Sequence, residues 1–277
     1  MSAIRLGTRA STLATTQSEM VARLLRSEGL DVDLTTITTH GDTSTASLAA
    51  MGGIGVFASA IRATLLKGEA DIAVHSFKDL PTGRPLGLAI GAVPARADPR
   101  DALVARDGLT LHDLPQEASV GTGSPRRAAQ LLAVRPDLTI VDIRGNVDTR
   151  LGRVKGLGHY AKGGGKEDLD AVVLAASGLA RLGHSGTVTE FLDPSVVLPA
   201  PAQGALAVEC RTADSRHGKL AKALARIDDR RTRLAATAER AVLSHLEAGC
   251  AAPIGALAQL KPVSGSSPQV LTLDVVV

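Results

Sequence analysis

The stretch Ala70-Asp71-Ile72-Ala73-Val74-His75-Ser76-Phe77-Lys78-Asp79-Leu80-Pro81 (ADIAVHSFKDLP) decides how the chain is read. Residues 70–75 are apolar and β-branched with little helical period, which predicts a short buried strand. The strand empties into a polar cluster of His75, Ser76, Lys78 and Asp79, closed by Pro81. Two opposite charges make poor core residues, because an unpaired buried charge is very costly. In an open α/β sheet, ligands bind outside the carboxyl ends of the strands. The cluster is therefore the first candidate site. Its competitor is a surface turn with a solvated Lys78–Asp79 pair, and the rest of the chain weighs against that.

Upstream, residues 3–7 predict a strand, and a helix runs from Ser11 or Thr12 to about Glu28, with Gly29 stopping it. Residues 32–38 alternate as a strand, 40–55 form a glycine-rich loop of lid length, and 57–68 form a helix. Downstream, 86–94 is a strand and 95–101 a charged crossing suited to a hinge. The second half then echoes the first. Leu6-Gly7-Thr8-Arg9-Ala10-Ser11 is matched by Val120-Gly121-Thr122-Gly123-Ser124-Pro125-Arg126-Arg127: a strand, Gly-Thr, arginine, and a serine at a helix mouth. A strand at 138–143 delivers Arg144, a helix carries Arg150, and 156–166 is a surface insertion without the phosphate-loop spacing. A buried strand at 170–175 precedes Arg181. Residues 205–210 are a returning strand, followed by helices at 219–227 and 231–247 and strands at 254–260 and 270–277. Two similar α/β domains and a smaller α+β one account for this order.

The 277 residues are 44% hydrophobic and 21% charged, an ordinary globular balance. Three Phe, one Tyr and no Trp leave no aromatic platform for nucleic-acid bases. A net charge of +3 favours acidic partners only where the basic residues cluster. Two cysteines make no disulfide framework, and no apolar run reaches membrane-spanning length, so a cytoplasmic protein is expected.

Arg126 and Arg127 fall in the first turn of a helix, after Ser124 as N-cap and Pro125 at the first helical position. Cations there oppose the helix dipole by about 0.3–1 kcal/mol each. A bound anion would reverse that sign. Arg9, Arg144, Arg150 and Arg181 also follow predicted strands or open the next helix, so six arginines collect on the sheet edges. Such an edge suits a ligand with several carboxylates or phosphates. Cys250 lies in a small-residue loop (EAGCAAP) where a thiol can stay accessible, whereas Cys210 lies in an apolar strand. The histidines show no metal-ligand spacing, and no metal is expected.

Together, LGTRAS, GDT with GGIGVF, ADIAVHSFKDLP, DPRDALV, VGTGSPRR, IRGNVDTRL, ASGLARLG, LPAPAQGALAVECR and EAGCAAPIGA resemble the porphobilinogen deaminase (hydroxymethylbilane synthase) family, in the family's order from residue 4 to about 260. The resemblance implies two periplasmic-binding-protein-like (type II) α/β domains, 1–97 plus 196–213 and 98–195, with a cleft between them. A small α+β third domain, 214–277, looks shortened, and its last strand would lack cover. The resemblance further implies a dipyrromethane cofactor held through a thioether to Cys250, with Asp79 as the catalytic carboxylate. Arg9, Ser11, Ser76, Lys78, Thr122, Ser124, Arg126, Arg127, Arg144, Arg150 and Arg181 would bind cofactor and substrate carboxylates. The implied substrate is porphobilinogen. Four molecules would condense head-to-tail with loss of ammonia, releasing hydroxymethylbilane for tetrapyrrole synthesis, and the enzyme would be a monomer. The chain departs from the family's common pattern in a lysine-poor lid (Ala50, Met51, Ile54) and in Ala202 of PAQGA, where glycine is usual. A non-catalytic polycarboxylate-binding domain or a weakened paralogue are the alternatives. The first gives no reason for Asp79 and Cys250 to occur together.

Overall fold

The computed structural model describes residues 3–37, 56–83, 85–249, 252–262 and 269–277. It divides into two compact units. One comprises Met1–Ala97, Ala205–Cys250 and Ala258–Leu273; the other comprises Asp98–Gly204, Ala251–Leu257 and Asp274–Val277.

In chain order the first unit opens with β1 (Ile4–Thr8), α1 (Thr12–Ser27), β2 (Val32–Thr36), α2 (Val56–Leu66), β3 (Ile72–Ser76) and β4 (Leu88–Ala92). The second unit supplies β5 (Asp101–Ala105), β6 (Ser119–Gly121), α3 (Pro125–Val134), β7 (Thr139–Val141), α4 (Val147–Leu151), β8 (Ala171–Ala175), α5 (Ala176–Arg181) and β9 (Glu190–Phe191). The chain then re-enters the first unit with β10 (Leu206–Arg211), α6 (Gly218–Ile227) and α7 (Arg230–His245). These two helices, expected within a third domain, group with the first unit. A two-stranded sheet of β11 (Gly255–Pro262) and β12 (Gln269–Val276) ends the chain. Val270, Leu271, Leu273 and Val275 on β12 are exposed.

Each unit is built on a five-stranded sheet of the same plan. In the first the order is β2-β1-β3-β10-β4, with β1 parallel to β2 and β3 and with β10 antiparallel to β3 and β4. In the second it is β7-β6-β8-β5-β9, with β6 parallel to β7 and β8 and with β5 antiparallel to β8 and β9. In both sheets the fourth strand is the crossing segment, laid antiparallel beside three parallel strands. That inserted antiparallel strand is the type II periplasmic-binding-protein plan.

The local reasons are in the sequence. α1 starts where the Ser11 hydroxyl accepts the Ala14 N–H and buries Val21, Ala22 and Leu25, which recur at helical spacing. β8 is apolar throughout, and β3 is apolar up to His75, because helices cover both faces of a largely parallel sheet. Leu103 and Val173 pack on one side of the second sheet, and Val104, Val172 and Leu174 on the other. Gly7 and Gly121, the repeated glycines of the echo, occupy matching crowded positions. A Cβ would lie 2.6 Å from Ile37 Cδ1 at the first and 2.6 Å from Leu169 Cδ1 at the second. Ala202 adopts φ 61°, in the left-handed region where glycine carries no penalty for a side chain.

Two short strands were not anticipated. Asp101, the last residue of the expected hinge at 95–101, instead opens β5 and is fully buried. β9 is only two residues long.

Candidate active site

β1 and β3 are parallel neighbours, so the residues just past their carboxyl ends share one edge of the first sheet. Arg9 and Ser11 follow β1; Lys78 and Asp79 follow β3 on a single 3-10 turn, Phe77–Asp79. Ser11 caps α1. Ser76 is bonded to α1 as well, its Oγ lying 3.0 Å from Gln17 Nε2 and 3.2 Å from Gln17 Oε1. Lys78 is half-buried and Asp79 exposed. The Asp79 carboxylate accepts no hydrogen bond among the described residues. An ionised carboxylate can only accept, so its oxygens stand ready for N–H donors.

His75 does not join this edge. It is buried, with Nε2 3.4 Å from Glu209 Oε2, and Arg62 Nη2 lies 2.9 Å from Glu209 Oε1. Burial opposes ionisation of Glu209, but hydrogen bonds from His75 and Arg62 outweigh it and hold the carboxyl below its usual range.

On the second sheet, β6 lies between its parallel neighbours β7 and β8. Thr122, Ser124, Arg126 and Arg127 follow β6, Arg144 and Arg150 follow β7, and Arg181 ends the helix after β8. Thr122 Oγ1 accepts the Ser124 N–H at 3.2 Å, and the Ser124 hydroxyl caps α3.

Arg126 and Arg127 stand in the first turn of α3, as expected. Their guanidiniums are buried, and their countercharge belongs to the chain itself. Arg126 Nη2 lies 2.7 Å from Asp101 Oδ2, while Arg127 Nε and Nη2 lie 3.0 and 2.7 Å from Asp101 Oδ1. Arg126 also donates to the Leu198 carbonyl and Arg127 to that of Val173. Gln203 Nε2 completes the shell at 2.8 Å from Asp101 Oδ1. Burial raises the Asp101 pKa, but the two arginines outweigh it and hold the carboxyl far below the carboxylate range. The dipole penalty at the mouth of α3 is thus met by a carboxylate from β5, without any ligand.

The other three arginines keep donors in hand. Arg144 is exposed, with Nη2 3.7 Å from Asp142. Arg150 gives Nε to the Gly145 carbonyl at 2.9 Å, and its terminal nitrogens have no hydrogen-bond partner among the described residues. Burial, then repulsion from Arg127, lowers its affinity for the proton. Arg181 donates Nη2 to the Gly204 carbonyl at 2.7 Å, but its Nε is buried without a partner. Burial pushes this guanidinium down to about 10. A half-buried cation that lacks a countercharge is what an incoming carboxylate neutralises.

Cys250, the glycine-rich loop at 40–55 and its Ala50, Met51 and Ile54 lie outside the described residues. Cys210 is buried in β10, and burial pushes its thiol up to about 11, so it is a poor nucleophile. No group of three or more His, Cys, Asp or Glu residues among those described could hold a metal ion. None of the described helices is long and apolar enough to cross a membrane.

Sequence reasoning missed Asp101 and Gln203. Asp101 had a signal, since a carboxylate opening the apolar run DALVA must be paired if that run is buried.

Comparison with known proteins places these observations in a family. Residues 4–219 match the family model described as "Porphobilinogen deaminase, dipyromethane cofactor binding domain", and residues 233–277 match the C-terminal domain of the same family. A porphobilinogen deaminase of Cutibacterium acnes is 97% identical over 277 residues, which are all of this chain and 83% of that relative. Those of Micrococcus luteus and Leifsonia xyli subsp. xyli are 55% and 58% identical over 98% and 93% of this chain, and over 77% and 76% of their own lengths. Among solved structures, a periplasmic substrate-binding protein of an ABC transporter from Coxiella burnetii aligns with TM-score 0.48 at 16% identity, over 86% of this chain and 95% of that one. A nutrient-binding protein from Burkholderia cenocepacia, bound to methionine, aligns with TM-score 0.46 at 16% identity, over 80% and 91%.

Proposed function

The chain belongs to the porphobilinogen deaminase family, and from that premise we propose which of its residues do the work. The reaction is condensation of porphobilinogen units head-to-tail with loss of ammonia on a dipyrromethane primer, releasing hydroxymethylbilane for tetrapyrrole synthesis.

The side chains suit such a primer. A dipyrromethane offers pyrrole N–H donors and acidic arms. The described residues offer an acceptor without a donor at Asp79, and cations with unused donors at Arg144, Arg150 and Arg181. When bound, through a thioether to Cys250, the primer supplies the free pyrrole α-carbon on which the chain grows. The partnerless buried Nε of Arg181 is the observation that carries this reading.

Asp79 would be the catalytic carboxylate. Its negative charge stabilises the positive charge that spreads over the pyrrole nitrogen as the C–N bond to the amine breaks. In its acid form the group hands a proton to the amine, which leaves as ammonia; the carboxylate so formed faces the cation and takes a proton back from the new ring junction. Arg144, Arg150 and Arg181 would grip carboxylates directly, joined by Arg9 and Lys78 on the first sheet's edge. Ser11, Ser76, Thr122 and Ser124 would bind through hydroxyls that also hold α1 and α3 in place. Arg126 and Arg127, which share the single carboxylate of Asp101, would contribute the positive charge left over as well as the donors it does not use. We also place residues 214–277 as a third domain, on the strength of the C-terminal family match at 233–277. The proposed setting is a cytoplasmic monomer that does not bind nucleic acid.

Ammonia release from porphobilinogen tests the assignment. Asp79→Asn removes the charge but keeps the shape, and turnover is expected to fall by at least about 100-fold while the protein still carries its primer. Turnover within a few-fold of wild type would exclude Asp79 from the role.

A further inference from the structure

The turn that carries Asp79 is short of bonds of its own. Its internal backbone bond, Leu80 N–H to the Phe77 carbonyl, is 3.3 Å long, and Phe77 N–H reaches back to Ala205 at 3.0 Å. A further hold comes from α7. Arg240 Nη1 donates to the carbonyls of Phe77 and Leu80, both at 2.8 Å, and Nη2 donates to that of Pro81 at 2.7 Å. Its guanidinium also lies over the Phe77 ring, 4.5 Å from the centroid. One side chain thus holds the backbone on both sides of Lys78-Asp79. Only the planar arginine fork presents enough fixed donors for three carbonyls at once.

The base of this clamp is itself fixed. Glu239, the preceding residue, is fully buried, lies 2.6 Å from Arg96 Nη1 and accepts the Ala258 N–H at 2.8 Å. α7 ends at His245, five residues before Cys250 in the sequence.

We propose that Arg240 is a positioning residue for the condensation, holding the 77–81 backbone so that the Asp79 carboxylate stays at its working place. This rests on Asp79 being the catalytic carboxylate. A group that acts through geometry is felt in kcat, because a displacement of about 1 Å at a reacting group can cost about 100-fold in rate. Arg144, Arg150 and Arg181 make no bond to this turn and keep their donors, so KM should change only by the share that Lys78 carries, within a few-fold.

The test compares Arg240→Gln, Arg240→Lys, Asp79→Asn and a matched control, Arg233→Gln. Arg233 sits on the same helix but donates to Asp228 at 2.9 and 2.8 Å and to the Gly91 carbonyl at 3.3 Å, away from the turn. The readouts are kcat and KM for porphobilinogen, urea midpoint, primer loading by intact mass, and amide exchange of the peptide covering 77–81. Arg240→Gln is expected to lose about 100-fold in kcat, with KM within a few-fold, the primer loaded and exchange at 77–81 accelerated. Arg240→Lys should recover part of the rate, and Arg233→Gln should lower the urea midpoint with kcat kept. Full kcat in Arg240→Gln, unchanged exchange at 77–81, or equal kcat losses in both arginine variants would each overturn the proposal. Should Arg240→Gln fail to fold, Arg240→Lys decides: a kcat deficit at constant KM supports the role, and full kcat overturns it. Wild-type turnover in Asp79→Asn overturns the premise as well, whereas an inactive Asp79→Asn beside a fully active Arg240→Gln overturns the positioning role alone.

Discussion

Asp101 pairs with two arginines inside the second unit and is fully buried, so its loss should be strongly felt. Replacing one partner of a buried charge network leaves the others uncompensated, at about 3–5 kcal/mol. Asp101→Asn is therefore expected to lower the unfolding free energy by that amount in urea melts, with Arg126 and Arg127 left facing an amide. A loss under about 1 kcal/mol would mean the network is solvated and the burial misread. The same residue shows why the anion site was only half legible. That Arg126 and Arg127 needed an anion followed from their place at a helix mouth. That the anion would be a carboxylate 25 residues earlier depends on β5 being laid between β8 and β9. No local pattern announces such a pairing. The turn that carries Asp79 was easier to read, because strand, polar turn and proline are contiguous.

At the scale of elements, Asp71 ties three strands together. It sits just before β3, accepts from Arg5 of β1 through backbone N–H and guanidinium (Nη2 at 2.9 Å), and accepts from Arg211 of β10, also at 2.9 Å. Burial works against its ionisation, but the bonds from Arg5 and Arg211 prevail and bring its pKa down to about 2. A carboxyl whose folded value is depressed binds protons more readily when unfolded. It thus adds stability that is complete above the ordinary carboxylate range and fades as pH falls from about 4 toward 2. Asp71→Asn should flatten that part of the acid limb in urea melts run between pH 5 and 2.5. An acid limb identical to wild type would show that the clamp is not formed. Most elements were readable because their signals are local: Ser11 and Gly29 bracket α1, and Ser124 with Pro125 opens α3. β5 and β9 were missed for physical reasons. The first is masked by the charges beside it, and the second is too short to hold a period.

For the whole molecule, the internal echo carried the most information. A strand, Gly-Thr, arginine and serine pattern in both halves anticipated two sheets of one plan, and the sheets share it down to the inserted antiparallel strand. Chemistry is divided between the units: the candidate carboxylate stands on the first, and the arginines with spare donors stand on the second. The proposed function requires both to serve one primer, held by a covalent link at Cys250. Intact mass spectrometry of the purified chain, before and after porphobilinogen, tests it most directly. The prediction is a primer-sized adduct at the start, absent from Cys250→Ala, then regular one-pyrrole increments in wild type and no increments in Asp79→Asn. An unmodified wild-type chain that still turns over, or an adduct surviving in Cys250→Ala, would contradict it.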